Sequence, residues 1–452
     1  MEVLLEGYSV NRPTWFYLSL LLILAVYFRF NRLWSLRNLD LVLLLSASPG
    51  LVLIDSPDGT TRNLGYGWLF TIACLFMIRM LLDPILQRRP HLGQNMNVYG
   101  LGFLCVAAFA FLMTQAVTEN LPDATHETVE RADELLRRSA PDTVAASVQS
   151  GQVSPPSAGP AASSLAAPVV LLFDTLAPRI LAILAHAAVI SGLWFVGRNL
   201  FADPNAGLAM ATLYLLVPAT AYNVGEFNHV LPAALIVWAL VFYRKPIVSG
   251  VLLGLACGTM FFPVFLLPIW AAFYGRRGAG RFVIALLSVG AVLLLTVALT
   301  SADTDSFLTR TLGTINWAVL VFNDVSGHPD FWQDESVVSV YRLPMIVSYL
   351  LMLIAMTIWP RYRSVETLIA QSTAAVVGTQ LWYTQQGGVF LLWYLPLVLI
   401  VTFRPRLLHL SVFPPTSDET TQETTPSIKA ELGSRIRSTS QRIGMPRRQL
   451  YR

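Results

Sequence analysis

Apolar runs long enough to cross a bilayer recur from Trp15 to Phe403, and no other feature constrains the fold of this chain as strongly. A hydrocarbon core of about 30 Å takes about 20 residues of helix, and inside it every backbone N–H and C=O must find a partner within the protein. Continuous apolar runs of this length read as helices, placed near 15–30, 39–55, 66–83, 98–117, 178–197, 206–222, 228–243, 280–300, 341–360, 365–381 and 389–404. Composition agrees. Of 452 residues, 54% are hydrophobic and 13% charged, where a soluble chain carries about a quarter charged, and the mean hydropathy is +0.57. The pattern predicts an all-α polytopic membrane protein with about eleven spans.

The net charge of +4 is almost wholly arginine, since Lys245 and Lys429 are the only lysines. The cations gather in particular loops: Arg29, Arg32 and Arg37; Arg88 and Arg89; Arg198; Arg244 and Lys245; Arg361 and Arg363. Such loops stay on the cytoplasmic side. They place the N-terminus outside and the C-terminus inside a cell inner (plasma) membrane, and they make the basic excess a matter of topology rather than nucleic-acid binding. The opening MEVLLEGYSVNRP has acids where a signal peptide has cations, so the first run reads as a retained helix. Cys74, Cys105 and Cys257 sit inside apolar runs, which suggests neither a disulfide nor a metal site.

Residues 246–275 fit the charge pattern only under one condition. Lys245 lies on one flank and Arg276, Arg277 and Arg281 on the other, so both flanks belong on the same side. Thirty residues of straight helix would be about 45 Å long. The stretch therefore reads as a hairpin of two short helices, 247–258 and 263–274, broken at Gly258-Thr259-Met260, with Pro263 in the first turn of the second. The alternative is a single tilted, kinked helix. Broken backbone at membrane depth is tolerated where it is buried in protein or lines a cavity.

Two segments on the outer side stand out. Loop 118–167 opens with ENLPDATHETVERADELLRRS, whose Glu127/Arg131 and Asp133/Arg137 pairs have helical spacing. A narrow stripe of Val129, Ala132, Leu135 and Leu136 predicts an amphipathic helix over 125–139 lying on the membrane surface. The Pro/Ser/Ala/Gly stretch that follows reads as an unfolded linker. Loop 301–340 holds Trp317, Asn323, Asp324, His328, Asp330, Trp332, Asp334 and Glu335, dense for a connector, although an interfacial aromatic belt with solvated acids has the same look. The chain divides into an N-terminal three-helix unit (1–97), a core (98–404) and a polar, then basic, cytoplasmic tail (405–452) suited to anionic head groups.

Three stretches, APRILAILAHAAVISGLW, LYLLVPATAYNVGEFNHVLPAALIVWALVFYRKP and SGVLLGLACGTMFFPVFLLPIWAAFYGRR, resemble the GT-C glycosyltransferases, and LWYTQQGGVFLLWYLPLVLI is similar to the last spans of that family. The likeness covers about half the chain and rests on apolar patterns. It implies a GT-C-like fold and transfer of a mannose-like sugar from a polyprenyl-phosphate donor to a cell-envelope acceptor at the outer face. This chain departs from the family at Met260, where a lysine is common, and in lacking a sharp acidic motif after the fourth span.

Such chemistry needs a carboxylate to deprotonate the acceptor and cations to hold the departing phosphate. Glu119, Asp123 and Asp174 are the acids within reach, with Asp174 equally readable as a cap before Pro178. Glu226 and His229 of GEFNHV sit at a membrane boundary, where ionisable groups are costly and functional; a structural pair is the other reading. Arg179, Arg310 and Arg342 fall on the outer side as phosphate-binding candidates. No metal-ligand set or cofactor motif is present, and a divalent cation is left open. The other classes are a transporter or flippase of lipid-linked glycans, with Glu226 and His229 carrying protons, and a catalytically inactive scaffold.

Overall fold

A computed structural model describes residues 12–86, 93–137, 159–301, 307, 332, 339–359, 363–383 and 390–407. The helices are α1 (Arg12–Tyr27), α2 (Leu36–Ile54), α3 (Gly59–Leu82), α4 (Val98–Thr118), α5 (Asp123–Arg137), α6 (Pro160–Phe173), α7 (Ala177–Phe195), α8 (Pro204–Leu216), α9 (Pro218–Tyr222), α10 (Phe227–Val241), α11 (Pro246–Thr259), α12 (Leu267–Thr300), α13 (Arg342–Ile358), α14 (Val365–Thr379) and α15 (Leu391–Phe403). No strand occurs among the described residues.

Among the described residues, five helical segments are long and apolar enough to cross a membrane: Leu36–Ile54, Gly59–Leu82, Val98–Thr118, Pro160–Leu200 and Phe262–Thr300. The other apolar helices are shorter, and several are buried on every side. All of α15 from Leu391 to Thr402 is buried, as is nearly all of α8. A helix that is apolar all round belongs in the middle of a bundle.

The two longest segments are each interrupted. Pro160–Leu200 is broken by a 3-10 turn at Asp174–Leu176. Phe262–Thr300 turns at Gly275, whose φ of 57° suits a residue without a Cβ. Upstream, α11 ends at Thr259 with Met260 extended, and a 3-10 turn over Phe262–Leu266 carries Pro263 at its start. The break thus falls where Gly258-Thr259-Met260 was expected to place it. Gly250 abuts Phe282 and Ala285, Gly254 abuts Val289, and Gly258 abuts Leu293. The numbers rise together, so α11 and the second half of α12 run parallel. The piece between them, 262–274, runs the opposite way.

Two expectations need correction. The stretch AASVQSGQVSPPSAGPAASSLAAP (145–168) reads as an unfolded linker, yet Pro160–Phe173 is helical. Pro160 is tolerated in the first turn, and Ala161, Ala162, Ser163 and Ala166 are buried. Gly159 donates its N–H to the Thr259 carbonyl at 2.8 Å, which docks the start of α6 on the α11 break. The span expected over 206–222 is also divided, by extended backbone at Val217 before Pro218.

One end of the bundle carries most of the arginines and is called the basic end below. It contains a buried ionic cluster from four helices. Arg79 of α3 holds Asp40 of α2 at 2.6 Å and Asp83 at 2.8 Å. Arg404, just past α15, pairs with Asp83 and with Glu366 of α14. The Leu407 N–H donates to Glu366 at 3.2 Å. Three carboxylates and two guanidiniums out of water persist because each is hydrogen-bonded within the set.

Candidate functional site

At the opposite end, α5 folds back across the bundle as a strap. Gly225 makes this approach possible, because a Cβ there would meet Pro122 Cδ at 2.7 Å and Leu121 Cδ2 at 3.0 Å. Thr125 Oγ1 donates to the Gly225 carbonyl at 2.8 Å. Thr128 Oγ1 donates to Asn228 Oδ1 at 2.9 Å, and Asn228 Nδ2 donates to the Ala124 carbonyl at 2.8 Å. The buried face of α5 is therefore Thr125, Thr128 and Ala132, a face of hydroxyls and one methyl. Of the expected stripe, only Ala132 is fully buried, and Leu136 is exposed. The expected pairs on the outer face are present, Arg131–Glu127 at 2.9 Å and Arg137–Asp133 at 2.8 Å.

The segment under the strap is held from below by His186. This buried ring contacts Tyr214 Oη at 2.9 Å and the Val224 carbonyl at 3.0 Å. A carbonyl only accepts, so Nε2 carries the proton and Nδ1 accepts from the tyrosine. The link between α9 and α10 is thus clamped by His186 on one side and α5 on the other.

Glu226 closes that link, and His229 lies one turn into α10. The Glu226 carboxylate is 3.6 Å from His229 Nε2, and its Oε2 is buried with no hydrogen bond. Trp393 Nε1 donates to His229 Nδ1 at 2.8 Å. An indole N–H only donates, so Nδ1 is the acceptor and Nε2 carries the ring proton, aimed toward Glu226. Burial pushes the Glu226 carboxyl from 4.5 up to about 7.

Aromatic rings floor the pair. His229 stacks on Phe390 at 4.3 Å, Phe390 on Trp393 at 4.5 Å, and Trp393 on Phe262 at 4.4 Å. Phe261 stacks on Tyr383 at 4.7 Å. Phe261 and Phe262 belong to the break after α11, so that break is packed on Trp393, the indole that hydrogen-bonds His229. Nothing about Phe261, Phe390 or Trp393 taken singly marks a site. They come together across some 130 residues of sequence, and the aromatic density of LWYTQQGGVFLLWY is the one sequence signal that marks them.

The structure brings the 121–128 segment and Glu226–His229 together. Glu119, at the end of α4, accepts a 3.0 Å bond from Gln115 and is exposed, as is Asp123 at the start of α5. Asp174 is exposed in the turn between α6 and α7, with Arg179 half-exposed in the first turn of α7. Arg342 is buried at the start of α13. Arg310 lies outside the described residues, as do residues 138–158, most of loop 301–340 and the tail from 408 onward. From loop 301–340, Trp332 is described. It is buried, with Nε1 donating to the Leu381 carbonyl at 3.1 Å. Among the described residues, no three His, Cys, Asp or Glu gather closely enough to hold a metal ion.

No protein-family model, no curated protein and no solved structure matches this chain.

Proposed function

We propose that the chain is an integral-membrane glycosyltransferase of the GT-C kind, moving a mannose-like sugar from a polyprenyl phosphate to a cell-envelope acceptor. In this reading the strap end is extracytoplasmic and the basic end cytoplasmic, in an inner (plasma) membrane crossed by about eleven spans plus the α11–α12 hairpin. One observation carries the reading. A helix from the loop after α4 is seated on Gly225 and Asn228, the residues that flank a half-buried carboxylate–imidazole pair at a bundle end.

In the reaction, an acceptor hydroxyl attacks the anomeric carbon, and the bond from that carbon to the phosphate oxygen breaks. The phosphate leaves with the electron pair, and the hydroxyl proton passes to a carboxylate. Glu226, with its carboxyl raised toward neutrality, is the base. His229 Nε2–H orients the carboxylate, and the aromatic floor offers faces to the sugar ring. Glu119 and Asp123 guard the approach along the strap. Arg179 and Arg342 at the strap end, and Arg310 in the loop beyond α12, are the cations for the departing phosphate.

The test is a reconstituted assay with polyprenyl-phosphate sugars. Glu226→Gln is expected to lower turnover at least about a hundredfold, the usual contribution of a general base, with donor binding unchanged. Full activity in Glu226→Gln would remove Glu226 from the chemistry. No turnover with any donor would return the chain to the scaffold reading, and donor crossing the bilayer without transfer would make it a flippase.

A further inference from the structure

The seam between α11 and α12 opens on one side into a groove of about 480 Å³. Its walls are Ile247, Val251 and Leu255 from α11 and Ile284 and Val292 from α12, with Arg281 at one end. The cause is local. Gly250, Gly254 and Gly258 recur every fourth residue, so α11 packs closely on α12 along that stripe, against the Phe282 carbonyl at Gly250 and the Val289 and Leu293 side chains at Gly254 and Gly258. The branched side chains beside the stripe then stand up as two banks with a channel between them. The channel runs from Arg281 to Leu293, about 18 Å at 1.5 Å per residue. Its volume lies in the range of ligand clefts, about 300–1,000 Å³.

The mouth is cationic. Arg281 lines it, and Ile247 on the facing bank lies two residues after Lys245 and three after Arg244. Arg276 and Arg277 lie one turn before Arg281, and all five cations are exposed. No Asp or Glu occurs anywhere from Phe227 to Ala302, and among the described residues none of the five pairs with a carboxylate. An apolar channel parallel to the helices, capped at the bundle end by unneutralised cations, matches an amphiphile with one anionic head and a long hydrocarbon chain.

We propose that this groove is a binding site for an anionic phospholipid of the leaflet at the basic end, its chain lying between α11 and α12 and its phosphate held by Arg281 with help from Arg277 and Lys245. The site stands apart from Glu226 and does not depend on the glycosyltransferase reading. A bound lipid would splint α11, whose C-terminal break packs against Trp393, to the second half of α12.

The test is native mass spectrometry of the full chain released from nanodiscs, titrated with phosphatidylglycerol and with phosphatidylcholine. Phosphatidylglycerol is expected to be retained in preference. Arg281→Gln is expected to weaken its binding about fivefold, one near-surface cation's worth. Ile284→Trp, which fills the channel from an exposed position, should weaken it at least as much, and Arg198→Gln, at the end of α7, should leave it unchanged. Equal retention of the two lipids would overturn the proposal, as would wild-type binding by both groove variants. Displacement of phosphatidylglycerol by a lower concentration of polyprenyl phosphate would also overturn it, by giving the groove to a donor chain.

Discussion

Glu226 is the residue on which most depends, and its environment makes a pH signature. It lies in the link between α9 and α10, where burial raises its carboxyl to about 7. Between 4.5 and 7 the folded chain therefore keeps a proton that the unfolded chain has released. The group costs the folded state nothing below 4.5; the penalty builds from 4.5 to about 7 and is constant above that. The melting temperature of the wild type should fall from pH 5 to pH 7.5 more steeply than that of Glu226→Gln, read by thermal unfolding in detergent. Parallel profiles would contradict the buried carboxyl. The pair with His229 was visible in GEFNHV, because ionisable residues between two apolar runs stand out. The tautomer of His229 was not, because it is fixed by Trp393, 164 residues away.

At the scale of elements, the strap is the feature most open to test. Gly225→Val should push against Pro122 and Leu121, lift α5, and break the bond from Thr125 to the residue 225 carbonyl. Hydrogen exchange over 121–132 should then rise, while exchange in α14 and α15 stays at the wild-type level. Unchanged exchange in the strap would mean that α5 is held by something other than this contact. Its existence as a helix was legible from the charge pairs, since Glu127–Arg131 and Asp133–Arg137 both form. Its buried face was not, because Thr125 and Thr128 bury through hydroxyl bonds to Gly225 and Asn228 rather than through apolar area. The same limit explains α6. Its composition of Pro, Ala and Ser reads as a linker, and only the docking of Gly159 and Ala161 against Gly258 gives it a reason to be helical. The α11–α12 break was legible because length and flanking charge favoured a hairpin over a single kinked helix; the glycine seam beside it was present in the sequence as Gly250, Gly254 and Gly258 and needed the partner helix to acquire meaning.

For the whole molecule, the arginines predict a sidedness that is directly measurable. With Cys74, Cys105 and Cys257 replaced by alanine, single cysteines at Asn31 (basic end) and Thr175 (strap end) should react oppositely with an impermeant maleimide on intact cells. Thr175→Cys should be labelled and Asn31→Cys protected until the membrane is opened. The reverse pattern would invert every assignment of inside and outside and remove the proposed site from the cell exterior. The ionic cluster at the basic end bears on how this molecule is made. Asp40, Arg79 and Asp83 leave the ribosome early, and Arg79 alone then serves both aspartates. The guanidinium that completes Asp83 arrives 321 residues later. At a synthesis rate of about 5–20 residues per second, that wait is roughly 16–64 s. During it, the first helices sit in the bilayer with a carboxylate only partly compensated. Closure by Arg404 and Glu366 therefore marks the assembled bundle, so a translation product stopped short of residue 404 carries a chemical sign of incompleteness at the basic end of its bundle.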